Sequence, residues 1–509
     1  MKLRRLLIVD GYTDEPAGLG VPPYLDVYSR EVYGAMKLAD KYSTVYYLTI
    51  DQVRSNRSLF VELSGKVDLT LVVAGALVPG RYLGGEPLRD VEELRLLKLW
   101  SNSPIALGGP ITTYGIGGIG GKRTEIIDED FIIIRGDLAP WFYQAAKYGI
   151  DRISSLDPRE SYYLRSKALI RGTEIVLQHP NMNIGNLTLE IETYRGCARW
   201  VSGGCSFCID PQYGKPLVRP IYDIVKEVEN AYKLGVRNFR LGRQSDILVY
   251  GSPELGVNEW PKPNIRLLTQ LFNGIRNVAP SLITLHIDNV NPRTIYEWPD
   301  LSRRALKTIV EYHTPGDVAA LGIESVDPKV VKLNNLKVDI DQAIFAIEVI
   351  NEIGRKRGWN GLPHLLPGIN FIAGLPGESK ETWEFNKELL RRIERKGLLV
   401  RRVNLRKLSI IEGTKVSYMI KKPRIAKGYE SFRKYVLKWQ EEMLRKVVPI
   451  GTKLVNVVIE KVERGVSYGR QPGSYPITVE IPQELEKYSW ISVEVKRHHS
   501  RSVLAEIVW

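Results

Sequence analysis

The sequence predicts an α/β protein in three folded parts, and three patterns predict it. Short, nearly continuous β-branched runs alternate with helical stretches over residues 1–150. Strand and helix signals then repeat six times over 185–425, and the final stretch, 450–509, carries short alternating strands broken by Gly and Pro. At 509 residues, 44% of them hydrophobic, the chain is long enough for several ordinary cores.

In the first part, the runs at 6–9, 44–48, 69–75, 105–110 and 131–134 suit strands buried on both faces of a parallel sheet. Helical stretches, including 29–42 and 90–101, lie between them. Together they predict a doubly wound, Rossmann-like domain whose ligands sit at the carboxyl ends of its strands. The loop Gly18-Leu19-Gly20-Val21-Pro22-Pro23-Tyr24 and the turn Gly108-Gly109-Pro110 fall at those ends. Residues 151–184 read as a linker.

The second part holds strands at 187–194, 238–241, 283–289, 318–324, 368–373 and 401–410, with helices at 221–234, 264–278, 302–312, 339–353 and 380–396. Six parallel units with right-handed crossovers make a partial (β/α)6 barrel, with its chemistry at the strand carboxyl ends. A connecting segment, 426–449, contains a charged amphipathic helix at 430–446. Strands at 454–460, 477–481, 491–496 and 503–508 then predict a small antiparallel β-barrel.

No apolar run approaches the roughly eighteen residues a membrane span needs. The start, Met1 to Asp10, reads as a basic lead into a buried strand rather than a signal peptide. The cysteines are clustered instead of spread as a disulfide framework, which points to a reducing, cytoplasmic setting. A formal net charge of +14 favours acidic partners, nucleic acid foremost, although a basic surface without a ligand gives the same excess. Much of that charge comes late, in Arg401-Arg402, Lys421-Lys422 and Lys496-Arg497-His498-His499.

All three cysteines, Cys197, Cys205 and Cys208, lie within twelve residues in the loop that follows the first strand of the second part. A structural zinc site wants four N/S ligands, and a ferredoxin-type cluster wants four thiolates. With three, a cubane cluster bound here keeps one iron free of protein thiolate, and an open iron binds substrate. A zinc site completed by a histidine, a disulfide and three unrelated buried thiols are the other readings. The nearest histidines in sequence are His179 and His286.

Arg195-Gly196-Cys197 followed by Cys205-Ser206-Phe207-Cys208, after a first barrel strand, resembles the radical S-adenosylmethionine (radical SAM) superfamily. In that family three cysteines hold a 4Fe-4S cluster, and the amino and carboxylate groups of SAM chelate the fourth iron. The resemblance implies Cys197, Cys205 and Cys208 as cluster ligands, with Phe207 beside the cofactor. The family's commonest spacing has three residues between the first two cysteines, whereas this chain has seven.

Two later stretches extend the resemblance. Gly322-Ile323-Glu324-Ser325 ends the fourth strand as in the branch shared by methylthiotransferases and the Elongator catalytic subunit, which implies that Glu324 and Ser325 meet the ribose and methionine end of SAM. The run from Asn370 to Glu378 resembles the branch's fifth strand, where backbone near Ile372 and Gly374 borders the adenine, and where Glu378 is placed to cap the next helix. The second strand departs from the family: Gly-Gly-Glu is replaced by Leu241-Gly242-Arg243-Gln244. Binding of the SAM amino group then falls to Gly242 backbone, to Gln244, or to neither.

The resemblance implies a reaction in which an electron from a ferredoxin- or flavodoxin-type reductant protein passes through the cluster into SAM. The 5′-deoxyadenosyl radical so formed takes hydrogen from an unactivated carbon, while the protein supplies position and dryness. The first part resembles the cobalamin-binding domain of many such enzymes, but the Asp-x-His-x-x-Gly motif is absent and no histidine precedes His179. Cobalamin bound there is held without an axial histidine, and a structural Rossmann-like domain is the alternative.

The late helix, with Ile450-Gly451 opening a basic β module, resembles the TRAM domain of tRNA methylthiotransferases. These features together imply methylation or a related C–H functionalisation of RNA, a tRNA base, with Lys496 and Arg497 as phosphate contacts. The three N-terminal cysteines of a true methylthiotransferase's second cluster are missing. A radical SAM enzyme acting on a lipid, peptide or small metabolite is the second reading, and an RNA-binding protein with a residual cluster the third. Arg243, Asp246, Asp288, Asn289 and Asn291 follow barrel strands, where they line the mouth or cap helices.

Overall fold

A computed structural model describes residues 2–15, 18–76, 83–117, 123–124 and 131–508. The chain forms two compact units. The first comprises 1–192, 219–239 and 277–282; the second comprises 193–218, 240–276 and 283–509.

The first unit is organised on the strand Arg5–Glu15, flanked in parallel by Thr44–Thr49 on one side and Leu69–Ala76 on the other. Ile105–Gly108 and Ile132–Ile133 extend the sheet, also in parallel. The resulting order, second-first-third-fourth-fifth, is one of the two common doubly wound orders. Leu7, Val9, Val72 and Leu107 lie in one buried cluster, as continuous β-branched and aliphatic runs demand of a sheet covered on both faces.

At the carboxyl end of the central strand, Asp10 accepts hydrogen bonds from Tyr47 Oη (2.9 Å), Ser29 Oγ (3.2 Å) and Tyr12 N (2.9 Å). Burial nevertheless pushes its carboxyl up to about 6. An acid raised in the folded state binds its proton there and not in the unfolded chain, so stability falls as pH rises from about 4 to about 6. Asp10→Asn is expected to remove about one proton's worth of that slope in thermal melts across this range; an unchanged slope would show Asp10 to be ionised throughout.

Residues 151–184 are not the linker that the sequence suggests. They form the helix Pro158–Arg171 and the short turns Gly172–Gln178 and Pro180–Met182. Arg165 of this helix pairs at 2.5 Å with both Glu31 and Glu192, all of them buried. Arg30 pairs with Glu227, which also takes Arg219 at 2.7 Å, and Lys167 reaches Asp223 at 2.6 Å. The helix therefore turns charges inward, onto Val27–Ala39 and Ile221–Lys233, where a surface segment would solvate them.

In the second unit Asn289–Val290, Asp317–Glu324, Leu365–Ala373 and Arg402–Lys407 form a parallel sheet in chain order. Alternation separates its two faces. On the outer face Phe371 meets Phe432 of the helix Tyr429–Val447 edge-on at 5.7 Å, and Val403 N donates to Gln440 Oε1 at 2.9 Å. On the inner face Asn404 Nδ2 donates to Asn370 Oδ1 at 2.7 Å. The remaining expected strands are Thr188–Glu192 in the first unit, Asn238–Gly242, which the division cuts, and Thr284–Ile287 in the second.

The C-terminal strands Lys453–Glu463, Val466–Arg470, Thr478–Ile481, Ser502–Ile507 and Trp490–His498 close into a barrel in that order. Four of its pairings are antiparallel, but Thr478–Ile481 runs parallel to Ser502–Ile507. Leu454, Val457, Val479, Val493, Val503 and Ala505 fill it. Among the described residues no helix is long and apolar enough to cross a membrane.

Candidate active site

The strand Tyr194–Arg195 pairs with Leu217–Val218, and the twenty-odd residues between them carry the three cysteines. This loop is pinned from several sides. Ser206 N and Oγ donate to Asn334 O (3.0 Å) and Oδ1 (2.7 Å), Val416 N donates to Ser206 O (2.8 Å), and Asn335 Nδ2 donates to Gly204 O (3.0 Å). Gly204 is left-handed (φ 63°), and a Cβ there would overlap Pro211. Cys205 packs with Val330, Leu336, Leu375, Leu408 and Val416, and Phe207, Cys208 and Ile372 pack against the same cluster.

All three cysteines are free thiols. Burial pushes Cys197 up to about 11 and Cys208 well above the usual thiol range, with Asp210 and the neighbouring cysteines adding to both. Cys205, also raised by burial, is partly relieved by Lys337 and Arg199. Arg199 NH1 donates to Cys205 Sγ at 3.1 Å and to Asn335 O at 2.8 Å, while its Nε holds Glu259 at 2.9 Å. Three thiols with no fourth are one short of the four thiolates that close a ferredoxin-type cluster. Among the described residues no three His, Cys, Asp or Glu side chains converge on a single ion.

Glu324 stands beside this loop. It is buried, adopts φ 61°, and lies 3.5 Å from Lys337 Nζ, which also donates to Gly322 O at 2.9 Å. A side chain at Gly322 would overlap that ammonium group. Burial raises the Glu324 carboxyl even so, and Glu324 and Cys205 hold Lys337 above the usual lysine range against its own burial. Lys337 and Arg199 thus give a cationic border to the thiols. The sequence marks neither, because a lone lysine after a helix and an arginine between cysteines carry no spacing signal.

The other residues expected at the cofactor also take part in the fold. The Gln244 side chain is fully buried, donating to Leu241 O (3.0 Å) and accepting from Thr193 Oγ1 (3.2 Å), so its amide serves the protein. Ser325 Oγ lies 3.3 Å from Asn386 Oδ1 and accepts from Asp327 N at 3.3 Å, which makes it a turn-former. Gly242 ends its strand, followed by Arg243 at φ 65°. Gly374 (φ 94°) donates to Glu378 Oε2 at 2.7 Å, and Glu378 Oε1 accepts from Ala426 N at 2.7 Å. Ser379, not Glu378, therefore caps the helix Lys380–Arg395.

Asn291 caps Pro292–Glu297, and Asp246, pushed up to about 7 by burial, caps Ile247–Val249. Lys496 and Arg497 lie in the strand Trp490–His498. Both are exposed, and Lys496 is offset by Glu494 (2.7 Å) and Glu506 (3.7 Å).

The radical SAM superfamily profile matches residues 191–390, a span that holds the cysteine loop, Glu324 and the Asn370–Glu378 run. The chain belongs to the radical SAM superfamily. It is 42% identical to an uncharacterised protein of Methanocaldococcus jannaschii over 100% of this chain and 94% of that one. A ribosomal protein uS12 methylthiotransferase RimO of Thermoanaerobacter sp. is 28% identical over 285 residues, covering 54% of this chain and 57% of the relative. Among solved structures, the radical SAM methyltransferase TsrM from Kitasatospora setae matches with a TM-score of 0.52 at 14% identity, over 79% of this chain and 73% of that one. At that identity the likeness is one of fold.

The described part of the first unit, which resembles a cobalamin-binding domain in sequence, has a hydrogen-bonded set of polar residues along its central strand. Its switch-point residues are engaged with one another: Asp10 with Tyr47 and Ser29, and Tyr12 Oη with Asp51 at 3.0 Å. A Cβ on Gly85 would lie 2.8 Å from Asp51 Oδ2 and 2.9 Å from Tyr12 Cε2. No histidine precedes His179, so a cobalamin held here would be held without an axial histidine.

Proposed function

We propose that this chain is a radical SAM enzyme that reductively cleaves SAM and uses the product radical to functionalise a C–H bond of a tRNA base. The observation that carries the first half is the pinned loop of three free thiols bordered by Arg199 and Lys337. Cys197, Cys205 and Cys208 would hold a 4Fe-4S cluster, which would supply the reducing electron for SAM cleavage. The chain's own residues do the rest. Arg199 steadies the Cys205 sulfur through an N–H···S bond, Lys337 and Glu324 present paired charge beside it, and Phe207 and Ile372 keep the site dry.

The RNA half rests on the net charge of +14 and on the closed barrel that follows the core. Methyl transfer from a cobalamin held without an axial histidine is one form of that C–H functionalisation. Lys496 and Arg497 are the proposed outer phosphate contacts, and the setting is cytoplasmic, with a ferredoxin- or flavodoxin-type reductant. Alanine at both positions is expected to flatten the salt dependence of tRNA binding by about 0.7 in log–log slope for each phosphate no longer neutralised; an unchanged slope removes them from the interface.

Similarity to RimO supports a second reading, in which the substrate is a protein and the enzyme is a methylthiotransferase relative without the second cluster. Nucleoside mass spectrometry of total tRNA from a deletion strain separates the two. Loss of one modified nucleoside identifies the substrate, whereas an unchanged profile rejects the tRNA reading in favour of protein, lipid or small-molecule targets.

A further inference from the structure

The C-terminal barrel sends one residue onto the inner face of the parallel sheet. In the segment between Val466–Arg470 and Thr478–Ile481, Ser474 N donates to His286 Nδ1 at 2.8 Å, and Arg401 NH2 donates to Tyr475 O at 2.5 Å. A Cβ on Gly473 would lie 2.6 Å from His286 Cε1, so the chain passes there only as glycine. Tyr475, at φ 53°, has its ring centre 3.5 Å from the Arg402 guanidinium carbon and its Oη 3.5 Å from Asp288 Oδ1. Asp288 is paired with Arg240, which approaches the same ring at 6.0 Å.

Arg402, Asn404 and Arg406 share the inner face of their strand by alternation. Gly368, opposite Arg402, leaves room for it, since a Cβ there would fall 3.3 Å from Arg402 Cγ. Arg240 is paired with Asp288, and Glu324 with Lys337. Arg406 makes no side-chain hydrogen bond or ion pair among the described residues. It is only partly exposed, and its charge acts on Glu324 at one end and on Tyr475 at the other. A half-buried guanidinium with no hydrogen bond or ion pair among the described residues, on the face that carries the Arg402–Tyr475 stack, is suited to an anion arriving with substrate.

We propose that Arg406 is the ligand for a phosphate of the substrate nucleotide, in a subsite floored by Tyr475 stacked on Arg402. The choice of phosphate rests on the RNA reading above; a guanidinium's planar fork matches phosphate oxygens and stays charged at every working pH. The segment between Val466–Arg470 and Thr478–Ile481 then supplies Tyr475 to that subsite, in addition to any outer RNA contact.

The test uses the full chain, reconstituted anaerobically with its cluster and SAM, and measures tRNA affinity across salt concentrations together with SAM affinity. Arg406→Gln is expected to weaken tRNA about tenfold and to lower the log–log salt slope by about 0.7–0.9, with SAM affinity unchanged. Arg406→Lys keeps the charge and should restore the slope, which separates lost charge from a damaged fold. An unchanged slope in Arg406→Gln overturns the subsite while leaving the RNA reading in place. Loss of SAM affinity instead also overturns it, by making Arg406 a cofactor ligand. If the wild-type protein binds no tRNA, the RNA reading falls, and inorganic phosphate decides the subsite alone: protection from heat in wild type but not in Arg406→Gln supports it, and equal response overturns it.

Discussion

Alanine at Cys197, Cys205 or Cys208 is expected to abolish the 4Fe-4S absorption of the reconstituted protein and, with it, all SAM-derived products. The three thiols sit in a loop held by Asn334, Asn335 and Val416, so losing one sulfur leaves the scaffold standing and removes one of three ligands. Cys205→Ala also deprives Arg199 of the sulfur it bonds at 3.1 Å, yet Asn335 O and Glu259 still hold that guanidinium. The variants should therefore melt near the wild-type apoprotein. A full cubane spectrum in Cys208→Ala would show that this cysteine is not a ligand.

Arg165→Met is expected to give the largest loss of stability. Arg165 and its partners Glu31 and Glu192 are each about 1% exposed, and they tie together the helix Pro158–Arg171, the helix Val27–Ala39 and the strand Thr188–Glu192. Removing the cation strands two buried carboxylates, at a cost of roughly 3–5 kcal/mol. Neutralising the acids as well, in Arg165→Met/Glu31→Gln/Glu192→Gln, should recover much of it, because buried ion pairs rarely outperform neutral packing. Denaturant melts of the single and triple variants measure both terms. A single variant as stable as wild type would mean that water or another cation takes the place of Arg165.

The same helix shows where sequence reasoning stops. A doubly wound sheet was legible because strands buried on both faces carry continuous apolar runs, such as Leu6 to Val9 and Leu71 to Ala74. Pro158–Arg171 is buried through charge, and charge in a sequence looks like surface, so the segment read as a linker. Val466–Arg470 was missed for the opposite reason: its inward positions are Ser467 and Gly469, small residues that give no hydrophobic period inside a tight barrel.

In the site, the cysteines and the Gly322-to-Ser325 and Asn370-to-Glu378 runs were legible as ordered motifs. The roles within them were less so. Gln244 and Ser325 occupy the expected strand ends but spend their hydrogen bonds on the fold, and Glu378 holds a loop while Ser379 caps the helix. Lys337, Arg199 and Tyr475 reach the site through tertiary packing from positions that no local pattern marks.

The most direct test of the account is the anaerobic reaction of reconstituted wild-type protein with SAM and dithionite, with and without total tRNA, read by mass spectrometry for 5′-deoxyadenosine. The predicted result is 5′-deoxyadenosine, formed faster when tRNA is present and absent in Cys208→Ala. Wild-type protein with an intact cluster spectrum and no 5′-deoxyadenosine under either condition would contradict it.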